Sequence, residues 1–197
     1  MSEWVLEARE IGKRFGGVVA LRGVSFELAA GEVHALCGEN GAGKSTLIRI
    51  LTGVHPAGSY EGGILVDGRE AAFRSTRDAE AAGIGVIHQE LALFPDMTVA
   101  ENLLLGQLPR RFGLVDWDQV EVRAGALLAE FGLSLPLGVR LGDLGVGQQQ
   151  LVEIVKALAR RPRILVLDEP TAALARHEID VLLALVKRLR EQGVTCI

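Results

Sequence analysis

Three runs in this sequence hold residues whose types and spacing suit phosphate chemistry. The first is GENGAGKS over Gly38–Ser45, followed by Thr46. It fits G-x-x-x-x-G-K-[ST], and it lies between a segment that reads as strand and one that reads as helix, the context the pattern requires. Glycines let the backbone curl so that successive N–H groups point inward at phosphate oxygens. The helix that follows adds the positive end of its dipole. Lys44 would reach the β- and γ-phosphates, and the Ser45 hydroxyl would bind Mg²⁺. The expected nucleotide contacts are Gly38, Glu39, Asn40, Gly41, Ala42, Gly43, Lys44, Ser45 and Thr46. The bland alternative, a glycine-rich turn with a chance lysine, explains neither the pattern nor its context.

The second run is ILVLDE over Ile164–Glu169. A carboxylate at the end of a buried strand, Asp168, is placed to hold Mg²⁺ through water. Glu169, one residue on, is placed to polarise an attacking water as general base. Alone, two acids after an apolar strand read as a solvated strand end; the loop at Gly38 gives them their meaning. The third run is Gly147-Gln148-Gln149-Gln150, ahead of a helix carrying Leu151, Ile154, Val155 and Leu158 at i, i+3, i+4, i+7. Free N–H groups at such a helix start can bind a second phosphate.

The elements that must position these residues alternate between strand and helix. Val24, Phe26 and Leu28 alternate with Ser25 and Glu27 as in a half-buried strand, and Glu32 to Cys37 reads as another strand feeding the loop. The spacing predicts a helix over 44–51 with Gly53 as its stop, a strand over 63–66 closed by an Asp67-Gly68 turn, and a strand over 85–88. Capping boxes start at Ser75 and Thr98, and Asp116 caps a helix with Val120, Ala124, Leu127, Leu128 and Phe131 on one face. Little strand signal appears between about 92 and 160, which argues for a helical insert. Ile179, Leu182, Leu183, Val186 and Leu189 mark a last helix, and Val194 to Ile197 starts a strand. Strands alternating with helices imply a largely parallel sheet in an α/β fold.

Composition bounds the rest. The chain has 197 residues, 49% hydrophobic, with formal charge −4. One domain with a sizeable core fits that length, and the charge gives no broad attraction for nucleic acid. Cys37 and Cys196 follow no metal spacing, and His34, His55 and His177 read as structural or exposed. No apolar run approaches the roughly 20 residues needed to span a bilayer. A membrane role would have to come through a membrane-embedded partner.

The order of the glycine-rich loop, His88-Gln89-Glu90, Leu144-Gly-Val-Gly-Gln148 and Leu167-Asp-Glu-Pro170 resembles that of the ATPases of ATP-binding cassette (ABC) transporters. It is similar to the first cassette of the tandem-cassette ATPases of bacterial monosaccharide importers, and residues 56–61 resemble the xylose type. The resemblance implies a P-loop NTPase cassette: an α/β core over 1–91 and 161–197, a helical subdomain at about 92–160 and an N-terminal antiparallel β-region. It implies that Gln89 senses Mg²⁺ and water and couples to the membrane subunit. It implies that Phe15 stacks on adenine, and that Gly145, Gly147 and Gln148 bind the γ-phosphate held by an opposing cassette. The implied ligands are ATP and Mg²⁺. The implied partners are a second cassette, transmembrane permease subunits and, indirectly, a periplasmic sugar-binding protein, with no nucleic acid. The implied location is the cytoplasmic face of the cell membrane, and the implied activity is ATP hydrolysis that powers sugar import.

Departures from the family pattern are visible too. Gly145 stands where serine is usual, removing one hydrogen bond worth roughly 0.5–1.5 kcal/mol net. Ala175 stands where a polar cap is usual, which should cost about 1 kcal/mol. The histidine of the switch loop and a second cassette are not in the sequence, so it reads as an incomplete domain of a longer protein. Two other readings stay open: an ATP-binding fragment without turnover, and an ABC ATPase serving no transporter.

Overall fold

The computed structural model describes residues 4–87, 92–170 and 174–197, apart from the His177 side chain. These fall into two compact units: 1–86 with 162–168 and 186–197, and 87–161 with 169–185.

The first unit carries the sheets. β1 (Trp4–Phe15) and β2 (Val18–Ala29) form a long antiparallel pair; β1 also pairs with β3 (Glu61–Val66), and β3 with β4 (Arg69–Glu70). The order is β2-β1-β3-β4. Register places Leu6 between Leu28 and Val66, and Ala8 between Phe26 and Ile64, so apolar residues line up across three strands. The β3–β4 turn is made by Asp67 and Gly68 at φ 51° and 72°, the left-handed pair a tight hairpin demands. Helix α1 (Lys44–Leu51) packs Leu47, Ile48, Ile50 and Leu51 into the same core as Leu6, Ile11, Leu28 and Ile64. Ile164 and Val166 of β8 (Ile164–Leu167) belong to that core as well.

A second sheet has the order β5-β8-β9, with β5 at Ile84–Ile87 and β9 at Thr195–Cys196. β8 and β9 run parallel. The strand expected over 32–37 is reduced to a single parallel bridge between Val33 and Cys196. The bridge is flanked by His34 N–H to Cys196 O and Cys196 N–H to Glu32 O at 2.8 Å each. α2 (Thr76–Ala81) starts at Ser75, whose N–H donates to Asp78 Oδ2 at 3.1 Å, as its capping box predicts.

The second unit is mainly helical. α3 (Val99–Leu103) packs on α4 (Trp117–Glu130) and α5 (Val146–Leu158). Thr98 and Glu101 cap α3 reciprocally, and Asp116 caps α4 through Gln119 N–H at 3.1 Å. Asn102, fully buried, bonds Phe94 through both its N–H and its C=O, so the buried amide is satisfied. The sequence hid one feature: a hairpin of β6 (Arg110–Arg111) and β7 (Leu114–Val115). Its turn is Phe112-Gly113, at φ 51° and 85°, and Phe at such a position gives no turn signal. Helix α6 (Arg176–Glu191) spans both units. Its buried line runs through Leu182, Leu185 and Leu189, while Leu183, which the periodicity had marked, is 59% exposed. Leu183 lies one residue off that i, i+3, i+7 line.

Candidate nucleotide-binding site

The glycine loop hangs between two fixed supports. Behind it, Val33 pairs in parallel with Cys196, and Cys196 with Leu165. Leu36 and Asp168 each follow that row by three residues, toward the carboxyl edge of the sheet. That edge is where open α/β sheets bind ligands. Ahead of it, α1 is held by four buried side chains, each worth about 1.5–3 kcal/mol.

Two glycines are dictated by this geometry. Gly43 has φ 95°, and a Cβ there would lie 2.5 Å from the Ala20 carbonyl oxygen and 2.7 Å from Leu21 Cδ2. Gly41, at φ 85°, meets nothing and is needed for its backbone conformation alone. Gly43 is also the N-cap of α1, and neither a capping side chain nor an acid in the first turn neutralises the helix start. Its dipole and forward N–H groups are left for an anion. Lys44 Nζ donates to the carbonyl oxygens of Gly38 at 2.7 Å and Glu39 at 3.1 Å. Ala42 N–H closes the turn on Glu39 O at 3.1 Å. The loop thus folds around its own ammonium, which stays at the loop's mouth. Ser45 is exposed in the first turn, Thr46 is half-buried, and Glu39 and Asn40 are exposed.

Asp168 is half-buried just past β8, and Glu169 is exposed. Glu169 sits at φ 51°, a left-handed conformation costing a non-glycine residue about 1–2 kcal/mol. Strain of this kind concentrates where a side chain must be aimed. Magnesium keeps several waters and is bound through one or two carboxylates plus substrate phosphates. Ser45 and Asp168 supply a donor set of that kind. Among the described residues no cluster of His, Cys, Asp or Glu forms an all-protein cage. The residues present fit a phosphate-borne magnesium.

Phe15 ends β1, 46% exposed, with its ring 5.4 Å from that of His55 and Lys13 Nζ 5.2 Å over it. Burial, then the charges of Lys13 and Arg49, hold the His55 imidazole below the usual histidine range. Gln89 lies outside the described residues.

In the helical unit, Gly145 is the N-cap of α5 and offers no side-chain bond. Gly145 and Val146 are exposed, Gly147 is buried and Gln148 is half-buried. Two residues given no site role in the sequence analysis shape the starts of α5 and α6. Gln149 Nε2 donates to Leu144 O at 2.9 Å. Glu178 accepts from Ala175 N–H at 2.8 Å, which supplies half of the reciprocal cap that Ala175 lacks. The x-x-E spacing after Ala175 was the available signal for it.

The comparisons with known proteins run along these same residues. The family model described as ABC transporter matches residues 21–172. The xylose import ATP-binding protein of Moorella thermoacetica is 52% identical over 197 residues, and that of Thermoanaerobacter pseudethanolicus 50% identical over 197. Each match covers 100% of this chain, and the chain spans 39% of the length of either relative. Among solved structures, a nucleotide-free ATP-binding cassette from an ABC transporter aligns with a TM-score of 0.85 at 31% identity, over 98% of this chain and 79% of that one. An ATP-binding cassette of an ABC transporter in its ADP conformation aligns at 0.83 and 32%, over 99% and 80%. The matched stretch takes in the glycine loop, the strand-end acid and the start of α5, and the chain belongs to the ABC transporter family.

Proposed function

We propose that this chain binds MgATP in the Gly38–Thr46 loop and serves as a nucleotide-binding cassette of a sugar importer, the xylose-type relatives pointing to a monosaccharide. The observation that carries the reading is the loop itself: Lys44 held on the Gly38 and Glu39 carbonyls, at an uncapped helix start. The backbone N–H groups from Gly38 to Thr46 receive the triphosphate oxygens. Lys44 moves its donors from loop carbonyls to the β- and γ-phosphates, a charge-assisted exchange. The Ser45 hydroxyl and Asp168 would hold Mg²⁺, whose positive charge would offset that of the phosphates. Phe15 offers its exposed ring to the adenine. Glu169 polarises the attacking water as general base, and the family resemblance gives Gln89 the role of sensing Mg²⁺ and water and coupling to the membrane subunit. Gly145, Gly147 and Gln148 present α5's free N–H groups to the γ-phosphate on a second cassette. Closing and release of that pair would drive transmembrane subunits at the inner face of the membrane. Among the described residues no helix is long and apolar enough to cross a membrane.

Titration of the purified chain with a fluorescent ATP analogue tests the site. Binding should need Mg²⁺ and weaken in Ser45→Ala; binding indifferent to both would refute it. Co-purification with a membrane permease supports the transport role, and recovery on ribosomes or DNA instead would refute it.

A further inference from the structure

The start of α5 is not empty of charge. Its own first turn has no acid and its N-cap no side-chain bond, yet a carboxylate from α6 lies on it. A Cβ built on Gly147 would fall 1.8 Å from Glu178 Cδ, 1.9 Å from Oε1 and 2.1 Å from Oε2. The carboxylate therefore fills the space where any other residue at 147 would put its side chain. The same Oε2 accepts the Ala175 N–H at 2.8 Å. One side chain thus ends the loop into α6 and seats on the first turn of α5, with its negative charge where the helix dipole favours it.

We propose that Glu178 is a positioning residue for the phosphate-facing loop Gly145–Gln148. This rests on the reading that α5 faces a nucleotide held by a second cassette. Glu178 acts through the backbone of α5. It fixes where the first turn of α5 stands relative to the start of α6, and so the direction in which its N–H groups point. The absence of a Cβ at residue 147 is the counterpart of this contact, because alanine there meets the far end of a flexible side chain and displaces it. Shape carries the effect: glutamine can occupy the same space and accept from Ala175 N–H through its amide oxygen.

Two measurements on the chain test this. In thermal melts without nucleotide, Gly147→Ala and Glu178→Ala should each lower Tm, and the double variant should melt no lower than the worse single, since both remove one contact. Additive losses would overturn the contact. In sedimentation with MgATP, Glu178→Ala should need about fivefold more protein to self-associate, the equivalent of one lost cap, with nucleotide affinity little changed. Glu178→Gln should restore association. Glu178→Ala associating as wild type, or Glu178→Gln failing as alanine does, would overturn the positioning role alone. A wild-type chain that binds ATP and stays monomeric would also overturn it while leaving nucleotide binding intact. A wild-type chain that binds no ATP would overturn the reading beneath it.

Discussion

Two helices in this molecule begin at a glycine with no capping side chain and no acid in the first turn: α1 at Gly43 and α5 at Gly145. Their surroundings differ. At α1 the neighbouring charge is a cation from the helix itself, Lys44, tied to the carbonyls of the loop before it. At α5 it is an anion from another helix, Glu178, seated over Gly147. The first start carries its own cation beside free N–H groups, which suits a triphosphate. The second is shaped by a residue some thirty positions away, whose carboxylate fills the space over Gly147. A cation from the helix itself goes with the site proposed to hold the nucleotide. A side chain from another helix goes with the site proposed to close on it.

The sharpest way to break this comparison is at the two glycines. Gly43→Ala forces a Cβ onto the Ala20 carbonyl and a φ of 95° onto alanine. We expect a loss of about 2 kcal/mol or more by chemical denaturation, together with loss of ATP binding. Gly147→Ala meets only a movable carboxylate, so a loss of about 1 kcal/mol is expected, the size of a cap. Equal losses at the two glycines would erase the distinction. Gly145→Ser gives α5 the hydroxyl cap it lacks and should raise stability by a few tenths of a kcal/mol over glycine, read as a small rise in Tm.

The smallest effect is electrostatic. Glu32 accepts from Ala29 N–H at 2.9 Å and lies 3.0 Å from His34 Nδ1, beside the rung at Val33. The Ala29 bond first, and His34 second, hold its carboxyl below the usual value of 4.5. A carboxyl lowered on folding adds stability above its ordinary titration point, and that stability fades as the pH falls through the folded value. Glu32→Gln should therefore flatten the acid limb of stability against pH while changing little at neutral pH. An unchanged acid limb would remove Glu32 from the support of the loop.

What could be read from the sequence divides along the same line. The glycine loop, the helix over 44–51, the capping boxes at Ser75 and Thr98, the Asp67-Gly68 turn and the acid-terminated strand at Ile164 all rest on neighbours within a few residues, and the structure has each of them. Features set by distant partners were not legible. The segment 32–37 reads as a strand from Val33, Ala35 and Leu36, but its pairing partner, Cys196, lies more than 150 positions away. The Phe112-Gly113 hairpin turn places a bulky residue at φ 51°, against local preference. Glu178 reads as a surface acid on an amphipathic helix until α5 is laid beside it. Leu183 and Leu185 both fit a helical stripe within one residue, and only packing against neighbours chooses Leu185.

The Gly38–Thr46 loop with Lys44 is proposed as the triphosphate site, and ATP affinity in Lys44→Ala probes it without intermediaries. Removing a charge-assisted donor worth about 1.5–3 kcal/mol should weaken Kd by about tenfold to a hundredfold in Mg²⁺ while the melting temperature holds. A Kd equal to that of the wild-type chain would contradict it.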